Sequence, residues 1–484
     1  MTLPAAAPSS PSRARRRGAS LPGVMVLLLA GCASLPPPET ARQAKAPQAY
    51  ATAQALAAPQ APWPGDAWWR DYGDAQLTGL IEEGLKGSPT LAEAEARLRK
   101  ARAQVATARA DGLPQISANG SVSEQKQSYN NGIPPDFVPQ GYNSYGRVTL
   151  DFAWELDFWG KNRAAVAAAS SEAEAARADA AEARLALSTN IAAAYADLAR
   201  LFAQRDVAER ALGLRGETEA LVQRRVTNGL DTQGELRQAQ AGPPAARADL
   251  AAIDEDIALT RNRLAALMGQ GPDRGLAIAR PAVAVLKPAG LPANLAADLV
   301  GRRPDVTAAR WRAEAADRRV AQSKAAFYPN INLAAFVGAQ SLHLGQLFDQ
   351  GSDIGSVGPA LSLPIFQGGR LRAGLRGAWA DRDAAVAAYD ATLTEALHSV
   401  ADVVASQRGL NVRLAESRQA LAADEDAFRI ARLRYDGALS NYQSVLLAEQ
   451  AVLAQRRIVA DLESRAFTLD VALVRALGGG FASS

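Results

Sequence analysis

One cysteine and two histidines are the only thiol and the only imidazoles in this 484-residue chain. With Cys32 alone, no internal disulfide and no Cys-based zinc cluster can form. His343 falls in a loop-like stretch and His398 in a helical one, and neither has a neighbouring pattern that suggests a metal site or a general acid/base pair. The 38 glycines include no phosphate cradle of the GxxxxGK[ST] type. No catalytic residue, metal site or cofactor emerges. The chemistry left is acylation of the one thiol.

Cys32 closes the run Leu29-Ala30-Gly31-Cys32, which resembles the bacterial lipobox, where the thiol is acylated and becomes the mature N-terminus. Upstream, Arg13, Arg15, Arg16 and Arg17 form a positive region and Leu21 to Ala30 a short apolar one, so residues 1–31 read as a removed lipoprotein signal. The chain has 53 Lys+Arg against 50 Asp+Glu, and losing the four arginines leaves 49 against 50. The basic excess belongs to the signal, and no nucleic-acid partner is expected. No apolar run reaches the ~18–20 residues of a spanning helix. Attachment to outer-membrane lipid would come from acyl chains on Cys32, at ~0.8 kcal/mol per buried CH₂. Ala33 follows the thiol, as in outer-membrane-sorted lipoproteins. The segment 32–70, rich in Ala, Pro and Gln at its start, is expected to be extended, with nothing in the sequence to fix its path.

The rest of the chain is one unit written twice. Pro89, Ala94, Arg97, Ala101, Val105, Pro114 and Ile116 recur as Pro304, Ala309, Arg312, Ala316, Val320, Pro329 and Ile331 at a constant offset of 215. Gly160, Lys161, Val226, Leu230, Leu236, Ala239 and Gly269 recur as Gly369, Arg370, Tyr435, Leu439, Val445, Ala448 and Gly478 at an offset of 209. A six-residue difference in one loop reconciles the two registers. The repeats are expected over 71–285 and 286–478, with a C-terminal tail at 479–484.

Within each repeat the order is helix, two strands, long helical hairpin. Val148, Leu150, Phe152, Trp154, Leu156 and Phe158 alternate with polar residues, a period of two that puts the large apolar groups on one face. Strands are expected at about 115–124, 146–158, 330–340 and 356–366, joined by polar loops rich in turn residues. No proline interrupts the Ala-rich stretch from Lys161 to Asn228, 68 residues or about 100 Å of helix at ~1.5 Å per residue. Helices are expected over 161–228, 230–268, 370–436 and 438–477, with narrow apolar seams suited to coiled-coil packing. Gly242-Pro243-Pro244 inside the returning helix should kink or break it, costing about 3 kcal/mol or more.

Strands of about ten residues with one apolar face can cross a bilayer at a tilt. Four cannot close a barrel, and a bilayer does not tolerate open edges. Three chains would supply twelve strands. Either the strands belong to a soluble β-hairpin domain on a coiled coil, or several chains share one barrel, from which the long helices would continue as a hollow cylinder; the chain then reads as mainly α with a β-barrel part and two repeats.

Several motifs together carry a resemblance: the lipobox, Trp68-Trp69 before Asp74-Ala75-Gln76-Leu77, Gly301-Arg302-Arg303-Pro304-Asp305-Val306, Ala326-Phe327-Tyr328-Pro329, and Leu363-Pro364-Ile365-Phe366-Gln367-Gly368-Gly369-Arg370. From about residue 65 onward the chain looks like the outer membrane factor lipoproteins, the TolC-like efflux ducts of NodT type. The resemblance implies a passive homotrimeric channel for small molecules in a Gram-negative bacterium, the trimer forming a 12-stranded outer-membrane barrel on an α-helical periplasmic tunnel. Its partners would be a periplasmic adaptor protein and an inner-membrane pump of the resistance-nodulation-division type. It places adaptor docking on the tip turns, at Gly229 and Leu230 in the first copy and Gly437, Ala438 and Leu439 in the second, where plain helix capping is the other reading. It places a gate near Asp231, Glu235, Tyr435 and Asp436. Ser440, Ser444 and Leu447 stand where the family carries charge, so such a gate is expected to lean on packing and scattered acids, not on a buried ion pair. The rival reading is a structural coiled-coil lipoprotein of the outer membrane without a pore.

Overall fold

The computed structural model describes residues 42–282, 290–293 and 295–483. The signal segment 1–31, Cys32 and the residues up to 41 lie outside them.

The described chain forms two compact units. The first holds Ala110–Ala164 and Arg319–Trp379 and is built on one antiparallel sheet of order β1-β2-β3-β4. Its strands are β1 (Gln115–Gln125), β2 (Asn143–Glu155), β3 (Asn330–Ser341) and β4 (Asp353–Ser362). β2 and β3 join the two repeats, with Leu150 opposite Val337 and Phe152 opposite Ala335. Among the described residues the edges of β1 and β4 carry no further strand. The alternation expected from sequence holds, and its apolar face is bare: Ile116 is 74% and Val357 77% exposed. Exposed aromatics flank this face, with Phe158, Trp159 and Phe366 just beyond β2 and β4, and Phe137, Tyr142 and Phe348 in the loops between paired strands. Trp159 stacks on Tyr328, 4.8 Å between centroids, and donates to the Pro329 carbonyl.

Two strand boundaries differ from expectation. β2 starts at Asn143 and ends at Glu155, because the Phe158 N–H turns back to the Leu156 carbonyl at 2.9 Å. β4 starts at Asp353 and stops at Ser362, short of the expected 366, since Pro364 has no N–H to continue a ladder. Pro359 is tolerated inside β4 because this is an edge strand.

The second unit holds Arg42–Arg109, Ala165–Arg318 and Ala380–Ser484. The helices reproduce the duplication in length. α1 (Ala75–Gly87) precedes α2 (Pro89–Ala110), and α5 (Leu295–Arg302) precedes α6 (Pro304–Ala325). α2 and α6 have 22 residues each, α3 (Lys161–Thr227) and α7 (Arg370–Asp436) 67 each, and α4 (Gln233–Leu267) and α8 (Tyr442–Ala476) 35 each. α4 and α8 start a few residues later than expected because Thr232 and Asn441 are extended N-caps, whose side chains accept from the N–H groups of Glu235 and Ser444.

The expected break at Gly242-Pro243-Pro244 does not occur. α4 runs through it, with Leu236, Ala239, Pro243 and Ala246 forming one buried stripe. Burial of that stripe outweighs the lost backbone bonds, and the Gly242 carbonyl accepts from Arg215 Nη1 on α3 at 3.3 Å.

The main core of this unit gathers Trp68, Trp69 and Tyr72 with Leu77, Ile81, Ile191, Leu264, Met268 and Phe467. Asp74 caps α1 through the Gln76 and Leu77 N–H groups and accepts from the Tyr195 hydroxyl at 2.7 Å. The described part of the N-terminal segment has a defined path. The Arg42 and Lys45 N–H groups donate to Asp383 and Asp390 on α7, and Gln60 bridges Leu291 in parallel. Tyr50, Leu56, Ala58 and Trp63 pack on the cluster around Leu295, Leu299 and Val400. Among the described residues no helix is long and apolar enough to cross a membrane.

Candidate functional site

The two hairpin turns of the second unit, α3–α4 and α7–α8, have the same backbone. In the first, Leu230 N–H bonds to the Arg225 carbonyl at 2.8 Å and Gly229 N–H to Val226 at 3.0 Å. In the second, Leu439 bonds to Arg434 at 2.7 Å and Ala438 to Tyr435 at 3.0 Å. This nested pair satisfies the last carbonyls of each long helix and needs one left-handed residue. Gly229 takes that place with φ +71°, and Ala438 with φ +58°. Gly437, one residue early, has no positive φ and leaves the strain on alanine. Leu230 and Leu439 both project into solvent.

Above the turns, Leu221, Val222, Leu236, Ala239, Tyr435, Tyr442 and Val445 make one buried cluster drawn from both hairpins. Inside it lies a charge pair that sequence reading did not find. Arg225 donates from Nε to Asp231 Oδ2 at 3.0 Å and from Nη2 to Oδ1 at 3.2 Å, a two-pronged contact whose side chains are 9% and 5% exposed. Arg225 Nη1 also donates to the Tyr435 carbonyl at 2.6 Å, and the guanidinium sits 4.2 Å above the Tyr435 ring. The Tyr435 hydroxyl donates to Asp231 Oδ2. Burial and the Asp231 carboxylate push the Tyr435 hydroxyl pKa far up, so it stays a donor. Hydrogen bonding to Asp231 raises that of Arg225 further. The expectation that no buried ion pair would be found here is therefore overturned. The cation comes from the first hairpin itself, six residues before its acid.

Of the other expected gate residues, Glu235 is spent locally. It accepts from the Thr232 N–H at 2.7 Å and hydroxyl at 2.9 Å, completing a capping box. Asp436 is exposed and lines an open groove of about 320 Å³ with Leu221, Arg224, Phe428, Arg429, Arg432 and Leu433. Ser440 has a buried hydroxyl with no hydrogen-bond partner among the described residues, Ser444 donates to the Asn441 cap, and Leu447 is exposed.

A second buried acid sits further along the hairpins. Glu449 on α8 accepts from the Thr218 hydroxyl at 3.1 Å and lies 3.7 Å from Arg215. Burial pushes its carboxyl above the usual range. Arg215 thus bridges the proline-bearing turn of α4 to α8. Among the described residues no cluster could hold a metal ion.

The family model described as outer membrane efflux protein matches residues 80–270 and 295–479. The fusaric acid resistance protein FusA of Burkholderia cepacia is 40% identical over 356 residues, 72% of this chain and 67% of its own. The multidrug resistance outer membrane protein MdtP of Escherichia coli is 32% identical over 461 residues, 94% of each chain. The solved outer membrane protein VceC of Vibrio cholerae superposes with a TM-score of 0.81 at 46% identity, over 87% of this chain and all of that one. These matches support an exit channel in the outer membrane and do not favour a spacer without a pore. The chain belongs to the outer membrane efflux protein family.

Proposed function

We propose that three copies of the chain make one passive exit duct, with the twelve strands of three sheets closing a barrel in the outer membrane. The observation that carries this is the free edges of β1 and β4 beside an apolar, aromatic-flanked face. Unpaired backbone in hydrocarbon costs several kcal/mol per group, and sister sheets remove both edges at once. Cysteines placed at Ser117 on β1 and Ala360 on β4 test it: oxidation of the folded protein in detergent should give covalent trimers, and a monomer-only product would refute the closure.

The helical hairpins would meet a periplasmic adaptor through the turns at Gly229–Leu230 and Gly437–Leu439, whose exposed leucines offer the apolar contact. The cargo would be small toxic organic compounds delivered by an inner-membrane pump of the resistance-nodulation-division type, in keeping with the resistance phenotypes in the names of MdtP and FusA. The tie of Arg225, Asp231 and Tyr435 would hold the tip closed at rest. Acyl chains on Cys32 would add a lipid anchor, detectable as a mass increment on the mature N-terminal peptide.

A further inference from the structure

The polar face of the sheet carries a second charge arrangement. β1 and β4 bring it only serine, asparagine, glutamine and small or apolar residues. Its charges come from β2. Glu155 is matched by Lys161, 2.9 Å away. Asp151 and Arg147 make no ion pair among the described residues.

Each is held by something else. Asp151 Oδ2 accepts from Asn119 Nδ2 and from the Thr149 hydroxyl, both at 2.8 Å. The Arg147 guanidinium lies 5.1 Å above the Phe336 ring. Phe336 stands directly opposite Asp151, whereas Arg147 stands opposite Gln340. The arginine therefore reaches along β3 past Gly338, which faces Thr149 so closely that an added Cβ would lie 2.0 Å from the Val148 carbonyl oxygen. The added carbon would meet the β2 backbone itself, so the close approach of the two strands requires glycine there. The outcome is a cation on an aromatic ring and an anion on neutral dipoles, at one level of the wall, close enough to attract each other but with no ion pair between them among the described residues. A ring face attracts a guanidinium without cancelling its charge.

We propose that Arg147 and Asp151 are the specificity-determining pair of the passage: a charge-balanced belt that keeps it open to anions, cations and zwitterions of small amphiphiles alike. This rests on the reading of the polar face as the lumen wall of a trimer, where each residue would appear three times. Rings of fixed charge set the ion preference of a pore, and their influence is strongest where they are unpaired.

The test is the reversal potential of the purified full chain in planar bilayers under a potassium chloride gradient. Arg147→Gln should move the cation-to-anion permeability ratio toward cations by about threefold, and Asp151→Asn toward anions by a similar factor. The double variant should return close to the parent value, and Arg147→Lys should leave it unchanged. Single variants that conduct with the parent's ratio, or that shift it the same way, overturn the belt while leaving the duct intact. A protein that passes no current even when the tip tie is removed by Arg225→Gln overturns both.

Discussion

The two helical hairpins of one protomer have the same length, the same turn and the same capping position, yet one is tied and the other is not. Arg225 and Asp231 in the first correspond to Arg434 and Ser440 in the second. The first pair is buried and joined by two hydrogen bonds. In the second the arginine is exposed, the serine hydroxyl has no partner among the described residues, and a non-glycine residue bears the left-handed backbone. The contribution of the second hairpin is Tyr435, standing where the first has Val226 and reaching across to Asp231. Backbone geometry survived the duplication because it depends on turn hydrogen bonds. The side chains diverged until a single tie spans both copies.

The strongest way to break this contrast is Arg225→Gln. It leaves Asp231 buried with only the tyrosine hydroxyl, and removing one partner of such a pair costs about 3–5 kcal/mol. Hydrogen exchange at the Gly229 and Leu230 amides should speed up markedly, and exchange at Ala438, whose Tyr435 acceptor the guanidinium also holds, should speed up less. Unchanged exchange at Gly229 and Leu230 would show that the tie does not hold the first turn. Replacing the pair by Arg225→Met with Asp231→Leu should restore most of the protection, because apolar packing substitutes well for a buried ion pair.

Glu449 sharpens the comparison through pH. The first repeat has Gln240 at the equivalent position. Because burial raises the folded-state pKa of Glu449 above its unfolded value, the stability it contributes is complete below the unfolded pKa and is lost as pH rises through the folded one. Glu449→Gln, which copies the first repeat, should raise the midpoint of thermal unfolding at pH 8 and leave it nearly unchanged at pH 4. An identical gain at both pH values would contradict a titrating acid. Ser440→Asp supplies the missing carboxylate opposite Arg434 and should slow exchange at Leu439, with a gain of up to about 1 kcal/mol for a pair that stays partly exposed. The smallest effect belongs to Ala438→Gly. Relief of left-handed strain, less glycine's extra backbone entropy, should stabilise the second hairpin by about 0.5 kcal/mol in denaturant titrations.

Much of the architecture could be read from residues alone because it rests on periodicity. The period of two along Val148 to Trp154 and the absence of proline from Lys161 to Thr227 define elements without reference to anything distant. Strand ends were less legible, since β2 begins at Asn143 within a stretch of turn-forming residues. The helical run through Pro243 was misread because local propensity gives no sign of the stripe buried beneath it. At the tip, Tyr435 and Asp231 carried enough signal to be picked out. Arg225 did not: it is one arginine among many on a charged helix, and its acid lies six residues on, within reach only because the turn folds back. Its third contact comes from 210 positions away. Arg147 and Asp151 fall among the polar residues that alternate along β2, and only strand pairing shows that one lies over Phe336 and the other accepts from Asn119 and Thr149.

A fastening built from unequal halves has a mechanical corollary. Two equivalent hairpins, each with its own clasp, would demand two separate releases; a chain whose halves share one clasp asks for a single rupture, and a pull on either hairpin reaches it. Restoring sequence symmetry between the halves would double the work of unfastening.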